Sequence, residues 1–330
     1  MSAFTAFPRK GILVALAIPT DARGRVMRRA LGTHVAWLRR QGIHGVLALG
    51  STGEFVRFTL EERKAILETV AELAAPLPVI ANISDIRLAV AQELGRFARR
   101  LKLAGVAIMP PSFFPLSAED QLAFFERAAA AAQLPVMLYN FPELTGNRIA
   151  PGTVAAFAAR APLAGFKQSG SEFSYHRTLV RLGRELDFSV FSGADTRLPE
   201  VFQLGADGCI GGLVNIVPEL MVEQFRVHHE GEPGSVEPTA SRMREVGRVI
   251  GQLTFPLNVA AGLAARGFDL GRPKTVISKE SARLYVKVAR ELRACFRRWK
   301  LETGGGADGR EVFRRRDHLG DSASSARPFR

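Results

Sequence analysis

The stretch PVMLYNFPELTGNRIAPGTVAAFAARAPLAGFK, residues 135–167, contains two apolar runs and a candidate helix between them. The runs Pro135–Tyr139 and Leu163–Lys167 are short and continuous, which is typical of parallel strands buried on both faces. Pro151 stands between the runs, at a place where a helix begins, because proline suits the first helical position. The stretch therefore predicts a strand–helix–strand unit.

The same alternation recurs from residue 11 onwards. Amphipathic segments separate the apolar runs, and the clearest is Thr59–Ala74, where Thr59 and Glu62 form a capping box. Eight such alternations are typical of an α/β fold, the (β/α)8 TIM barrel. A doubly wound sheet also alternates, but no glycine-rich dinucleotide motif follows the first run, which favours the barrel. The runs are Gly11–Ile18, Gly45–Leu49, Pro78–Ile83, Gly105–Met109, Pro135–Tyr139, Leu163–Lys167, Phe188–Phe191 and Gly208–Leu213.

The last third of the chain changes character. We expect residues 1–225 to form the barrel with the active site, because no strand pattern follows them. Residues 226–302 carry helical patterns and are predicted to be a C-terminal helical segment. Residues 303–330 are rich in glycine, serine and arginine with almost no apolar content, which predicts a disordered tail.

Composition bounds the partners and the compartment. The formal net charge is +13, but the basic residues are spread through helical segments, so we expect no nucleic-acid partner. Cys209 and Cys295 are too few for a disulfide framework and suit a reducing compartment. The first apolar run is too short to span a membrane, and no small-residue cleavage site follows it. We therefore expect a cytoplasmic protein that does not bind membranes.

Two chemically active side chains end neighbouring apolar runs, Tyr139 and Lys167. In a barrel the working groups lie at the carboxyl ends of the strands. A lysine in apolar surroundings loses hydration, which favours the neutral amine that attacks a ketone. Taken alone, Lys167 is better explained as an ordinary lysine, whose stem packs on apolar surface and whose ammonium group reaches water. Tyr139 beside it supplies a phenol that shuttles protons, so the pair favours imine chemistry.

A glycine loop follows the second run, Gly50-Ser51-Thr52-Gly53-Glu54. Such a loop offers backbone N–H groups and two hydroxyls to an anion, typically a carboxylate, although an ordinary glycine-rich turn has the same composition. An imine former, a proton shuttle and a carboxylate clamp together suit a 2-oxo acid such as pyruvate. We therefore count Gly50, Thr52 and Gly53 among the substrate-binding residues.

Five motifs make the chain similar to the dihydrodipicolinate synthase / N-acetylneuraminate lyase family of Schiff-base aldolases, over residues 11 to 300. The resemblance implies a barrel with helices after it, assembled as a homotetramer or a dimer, with neither metal nor organic cofactor. It implies that Lys167 forms the imine and Tyr139 relays protons. It also implies that Ser51 and Thr52 bind the carboxylate of pyruvate and that Ser51 is linked to Tyr139. The motifs are GSTGEF, LPVMLYNFPELTG, GFKQSGSEF, FSGAD and LGADGCIGGLVNIVPEL.

Within that family, the motifs look most like the 2-keto-3-deoxygluconate aldolase branch. Asp195 and Thr196 stand where the related sialic acid lyases contact substrate hydroxyls, so we expect both to bind substrate. Gly212 replaces a position that is often serine in those lyases, which favours a smaller sugar acid. We also count Ile210, in the last strand, among the substrate-binding residues.

Two departures separate the chain from the synthases of the family. Leu144 stands where they usually carry an arginine for the second substrate's carboxylate. Pro111 and Ser112, followed by Phe113 and Phe114, stand where they usually carry a tyrosine pair that completes the relay. Leu144 weakens the synthase interpretation, and the second departure predicts a relay that is truncated or built differently.

The leading hypothesis is an enzyme, a Schiff-base lyase that cleaves or forms a 2-keto-3-deoxy sugar acid to give pyruvate and an aldehyde. The alternatives are 4-hydroxy-tetrahydrodipicolinate synthase, a keto-deoxy sugar acid dehydratase, and a non-catalytic 2-oxo acid binder. Ser112 in place of a relay tyrosine is the feature that keeps the last one open.

Overall fold

Eight parallel strands close into a barrel in chain order, and β8 pairs with β1 to complete the ring. The protein is described by a computed structural model, which covers residues 5–231, 234 and 236–303. The predicted (β/α)8 barrel is confirmed, and the tail expected from residue 303 lies outside the described residues but for Thr303. The strands are β1 Gly11–Ala15, β2 Gly45–Ala48, β3 Val79–Asn82, β4 Gly105–Ile108, β5 Val136–Asn140, β6 Leu163–Gln168, β7 Ser189–Ser192 and β8 Gly208–Gly211.

Helices connect the strands and follow the last one, and local sequence explains where several of them begin. At α2 the predicted capping box is present, with both the Thr59 side-chain bond and the Glu62 side-chain bond. Helix α6 begins at Pro151, as predicted. The helices are α1 Arg28–Arg40, α2 Leu60–Ala74, α3 Leu88–Arg100, α4 Ala118–Ala132, α5 Pro142–Thr145, α6 Pro151–Ala158, α7 Tyr175–Leu186, α8 Leu198–Gln203, α9 Pro218–Phe225, α10 Val236–Ile250, α11 Leu257–Ala265 and α12 Lys279–Arg298.

The barrel interior is a packed core. Alternate side chains of the strands point inwards, as the period of a strand requires, and fill the space between them. Phe7 packs against this cluster, and a Cβ at Gly165 would lie 3.1 Å from its ring. The inward cluster is Leu13, Ala15, Leu47, Ile80, Ala107, Met137, Phe191 and Ile210.

The chain divides into two compact units. The first takes residues 5–17 and 38–245 of the described chain and contains the whole barrel. The second takes residues 18–37 and 246–303; within it α11 packs on α12, and the Tyr285 hydroxyl donates to the Ala260 carbonyl at 3.1 Å. The expected boundary between residues 225 and 226 stays a prediction. Over the described ranges, no helix has both the length and the hydropathy needed to cross a membrane.

The seam between β1 and β8 generates a stability prediction. Gly208 pairs with Gly11, and a Cβ at Gly208 would lie 2.0 Å from the Gly11 carbonyl oxygen. Because that neighbour is backbone, Gly208→Ala is expected to cost on the order of 3 kcal/mol of unfolding free energy. Urea denaturation followed by circular dichroism measures it.

Gly152→Ala is the matched control, because no heavy atom lies within 4 Å of a Cβ at Gly152 in α6. We expect it to be neutral or stabilising by up to about 1 kcal/mol. Equal stability of the two variants would contradict the close packing at the seam.

Candidate active site

Tyr139 and Lys167 lie side by side at the carboxyl ends of β5 and β6. They are register partners in the parallel ladder between the two strands. Both are buried, at 1% and 3% exposure, and the Lys167 Nζ lies 4.1 Å from the centroid of the Tyr139 ring. The barrel therefore holds one amine against the face of one phenol.

Ser51 joins this pair from the loop after β2. Its Oγ lies 3.0 Å from the Tyr139 hydroxyl, and either oxygen is able to donate the hydrogen. The loop is closed by the Glu54 amide, which donates to the Ser51 carbonyl at 3.0 Å. A Cβ at Gly53 would lie 3.0 Å from the Leu16 carbonyl oxygen, so glycine is what lets the loop pack against the chain leaving β1. The three side chains expected to be catalytic are thus brought together from β2, β5 and β6.

Thr52 and Gly50 are buried members of the same loop. A Cβ at Gly50 would lie 3.2 Å from the Leu47 side chain, so the backbone passes close to the core there. Of the remaining expected residues, Ile210 is fully buried in the inward cluster, and Thr196 lies half-buried in the helical turn Asp195–Arg197. The substrate contacts of all these residues stay predictions.

Asp195 carries its carboxylate against β8 and the chain that follows it. One oxygen accepts from the Leu213 amide at 2.7 Å, and the other lies 3.7 Å from the Cys209 sulfur. The absent side chain of Gly211 makes room, since a Cβ there would lie 2.2 Å from the carboxylate. Burial raises the pKa of Asp195, while the Leu213 amide and the charge of Lys167 act against that rise. Burial, followed by the Asp195 charge, raises the pKa of the Cys209 thiol, so that thiol is not a ready nucleophile.

Two buried amides connect the ends of β5 and β6. The Asn140 Nδ2 donates to the Gln168 Oε1 at 2.8 Å, and the Asn140 Oδ1 accepts from the Ile149 amide at 2.9 Å. Gln168 in turn donates to the Ser169 carbonyl at 3.1 Å. Both amides are fully buried and directly follow Tyr139 and Lys167, so they fix the two strand ends next to the candidate catalytic pair. Sequence reasoning missed them; their position directly after two strand-ending active residues is the signal that was available.

The end of β7 is fixed by a histidine that is also absent from the sequence-based set. The His176 Nδ1 lies 3.0 Å from the Phe173 carbonyl, which only accepts, so Nδ1 carries the hydrogen. Its Nε2 therefore accepts from the Ser192 hydroxyl at 2.8 Å, and the Ser192 oxygen accepts from the Ala194 amide at 2.9 Å. Burial lowers the pKa of His176, which keeps this ring neutral. The chain of bonds holds the turn that leads to Asp195.

The loop after β4 carries the departure noted in the sequence. The Asn147 Nδ2 donates to the carbonyls of Pro111 and Phe114, at 2.8 Å each. Phe113 and Phe114 are 85% and 69% exposed and pack edge to face. This loop thus exposes two phenyl rings, whereas the resemblance to the synthases implies a pair of tyrosines in it.

Among the described residues, no group of three His, Cys, Asp or Glu side chains is placed to hold a metal ion. Polar side chains gather at the carboxyl ends of the strands of this closed barrel, which is where barrel enzymes carry their active sites.

Comparison with known proteins places the chain more narrowly. Residues 8–292 match the model of the dihydrodipicolinate synthetase family. An uncharacterized DapA-like lyase of Halobacterium salinarum is 30% identical over 79% of this chain and 86% of its own length. A 4-hydroxy-tetrahydrodipicolinate synthase of Methanosphaerula palustris is 30% identical over 68% of this chain and 77% of its own.

One relative is known in three dimensions as well. YagE of Escherichia coli K12, described as a putative 2-dehydro-3-deoxy-D-gluconate aldolase, is 28% identical over 67% of this chain and 75% of its own length. Its crystal structure in complex with pyruvate superposes with a TM-score of 0.79 and 25% identity, covering 88% of this chain and 99% of that one.

The chain belongs to the dihydrodipicolinate synthetase family. The sequence-based expectations of an enzyme and of a carbon–carbon lyase are confirmed by this membership. Chemistry in the family runs through a Schiff-base lysine and pyruvate.

The buried histidine generates a prediction on pH dependence. The pKa of His176 is lowered in the folded protein, so as the pH falls below about 6.5 the unfolded chain takes up a proton that the folded protein refuses. The free energy of unfolding is therefore expected to fall between pH 7.5 and 5.5 by up to about 1.4 kcal/mol, because the unfolded histidine takes up at most one proton over this range. Urea denaturation at both pH values measures the loss.

His176→Gln removes the titratable ring, so the unfolded variant takes up one proton fewer. We therefore expect a smaller loss of stability between the two pH values in this variant. His44 and His229, whose pKa values burial also lowers, contribute the same background to both proteins. An unchanged pH dependence in His176→Gln would show that the ring is not held neutral.

Proposed function

We propose that the protein is a Schiff-base lyase that cleaves or forms a 2-keto-3-deoxy sugar acid, with pyruvate and an aldehyde as the smaller partners. The observation that carries the proposal is the buried Lys167 amine against the Tyr139 ring, with Ser51 bonded to the Tyr139 hydroxyl. Each of the three side chains has a distinct task in such a reaction.

Lys167 supplies the nucleophile. Its neutral amine adds to the C2 ketone of the substrate, and loss of water leaves a protonated imine, an electron sink. Breaking the C3–C4 bond delivers the bond's electron pair to this sink as an enamine, while the C4 hydroxyl becomes the aldehyde. Protonation of the enamine at C3 and hydrolysis of the imine then release pyruvate and restore the lysine.

Tyr139 and Ser51 move the protons. Water loss needs a proton delivered to oxygen, and C3–C4 cleavage needs one taken from the C4 hydroxyl, which are both tasks of a general acid–base. The Lys167 amine lies over the Tyr139 ring, and the 3.0 Å contact of the Tyr139 hydroxyl with Ser51 provides a second hydroxyl through which the proton passes. The substrate carboxylate is bound by hydroxyl and backbone N–H groups of the loop after β2, from Gly50, Ser51, Thr52 and Gly53.

The sugar acid is favoured over other second substrates by the relatives and by one side chain. YagE is described as a putative 2-dehydro-3-deoxy-D-gluconate aldolase and was solved with pyruvate. Leu144, 49% exposed in α5, carries no charge for a second carboxylate. The similarity to the Methanosphaerula synthase supports 4-hydroxy-tetrahydrodipicolinate synthesis as the second candidate.

We further propose a cytoplasmic enzyme that works as a homotetramer or a dimer.

Borohydride reduction in the presence of pyruvate tests the imine. We expect a covalent pyruvate-derived mass increment on the peptide that contains Lys167, because reduction makes the imine permanent. Peptide mass spectrometry locates it. Lys167→Ala is expected to lose both the increment and at least about 1,000-fold in turnover, as removal of a covalent nucleophile does.

Lys64→Ala is the matched control, since Lys64 is a lysine of α2 in ion pairs with Glu61 and Glu93. It should label like the unaltered protein. An increment on another lysine, or none, would refute the imine mechanism at Lys167.

A panel of keto acids tests the substrate. We expect pyruvate release from a five- or six-carbon 2-keto-3-deoxy sugar acid to exceed, in kcat/KM, the condensation of pyruvate with aspartate semialdehyde by at least about 100-fold, or about 2.7 kcal/mol. A coupled lactate dehydrogenase assay follows the release. The reverse preference would support the synthase, and water loss without pyruvate release would support a dehydratase.

A further inference from the structure

The loop that carries Ser51 begins with a residue in an unusual conformation. Leu49 follows β2 directly and has φ 57°, in the left-handed region. A leucine adopts that region only when its surroundings hold it there, because the Cβ crowds the backbone. Leu49 is fully buried, and Gly50 and Ser51 come next in the chain. The direction of the Ser51 hydroxyl therefore depends on what holds Leu49.

Asn82, the last residue of β3, makes that contact. Its Nδ2 donates to the Leu49 carbonyl at 2.7 Å, and its side chain is fully buried. The bond crosses from one strand end to the next, directly below the start of the loop. A left-handed turn is thus secured by one side-chain amide.

The orientation of the Asn82 amide is itself fixed. Its Oδ1 accepts from the Ser84 hydroxyl at 2.6 Å, and the Ser84 oxygen accepts from the Met109 amide at 2.7 Å. Because Met109 N–H only donates, the Ser84 hydroxyl hydrogen points to Oδ1 and the Asn82 nitrogen to Leu49. The series of bonds links the ends of β2, β3 and β4.

Arg63 of α2 supports the turn that follows β3 from outside. Its guanidinium is buried, donates to the Ser84 carbonyl at 2.9 Å and pairs with Asp85 at 3.0 Å. It also lies 5.2 Å from the centroid of the Phe55 ring, at the far end of the loop. One cation thus holds both the turn after β3 and the segment that follows Ser51.

We propose that Asn82 is a positioning residue, which holds Leu49 in the left-handed conformation and so directs the Ser51 hydroxyl to Tyr139. The inference rests on the proposed function, in which Ser51 passes protons to Tyr139. Asn82 acts through Ser51 and has no part in the chemistry itself. Removing the Asn82 side chain should therefore slow imine formation only when Ser51 is present.

The first arm of the test measures the rate of imine formation with pyruvate, by borohydride quenching at timed intervals. Asn82→Ala is expected to slow it at least about 10-fold, less than the roughly 100- to 10,000-fold that complete loss of general acid–base catalysis gives, because the Ser51 hydroxyl is misdirected and not removed. Gln224→Ala is the matched control, because Gln224 is another fully buried amide, in α9 and outside these contacts. It should lose stability and keep its rate.

The second arm measures coupling. In a Ser51→Ala background, Asn82→Ala is expected to slow imine formation less than about 3-fold, since the group that it positions is already gone. An equal 10-fold loss in both backgrounds would overturn the proposal. Should Asn82→Ala not fold, Ser84→Ala removes only the hydroxyl that orients the amide, and it should show the same pattern with a smaller loss.

The third arm does not depend on catalysis. Hydrogen exchange of the peptide spanning residues 45–58 is expected to be faster in Asn82→Ala than in the unaltered protein or in Gln224→Ala. If the unaltered protein forms no imine on Lys167, the proposed function fails, while faster exchange still supports the positioning by Asn82. Unchanged exchange overturns the positioning whether or not the imine forms.

Discussion

Polar groups at the carboxyl end of a buried barrel must be paired, and the rest of the structure depends on how this protein pairs them. The backbone leaves the sheet there without the ladder bonds that strands provide, and an unpaired buried N–H or carbonyl is costly. Side-chain amides and hydroxyls take over. Asn215, after β8, illustrates it by donating to the Ala15 carbonyl at 2.8 Å and accepting from the Ala17 amide at 3.1 Å. Other side chains that pair polar groups at this end of the barrel are Asn82, Ser84, Asn140, Gln168 and Ser192.

The candidate catalytic side chains lie among these pairings. Tyr139 and Lys167 each precede a buried amide in the chain, and Ser51 follows a carbonyl that a buried amide holds. The side chains that pair the backbone groups at the carboxyl end of the barrel thus also fix the directions of the residues proposed to react. A loop alone rarely fixes an active residue closely, and here the fixing groups belong to the strands.

The fold and the candidate catalytic residues were open to sequence reasoning for different reasons. Eight apolar runs separated by capped amphipathic segments repeat a local pattern, so the barrel, the Thr59 cap and the start of α6 at Pro151 followed from neighbouring residues alone. Tyr139 and Lys167 were proposed as catalytic because each ends an apolar run. The pairing of Asn82 with Leu49 was out of reach, since it depends on the register of β2 against β3 and on a left-handed leucine, which no local pattern reveals. His176 was missed because it lies in a helix, one residue among many on an amphipathic surface.

Phe7 shows that the barrel is not built from its repeating units alone. β4 and β6 bring glycines, Gly105 and Gly165, to its ring, so a residue that precedes β1 fills volume that two strands leave empty. Gly165 and Lys167 are two residues apart on one strand, about 7 Å along it. A segment that belongs to no strand or helix therefore packs against the strand that carries Lys167. Any extension or shortening of the amino terminus that displaces Phe7 removes packing from the strand that carries the amine proposed to react.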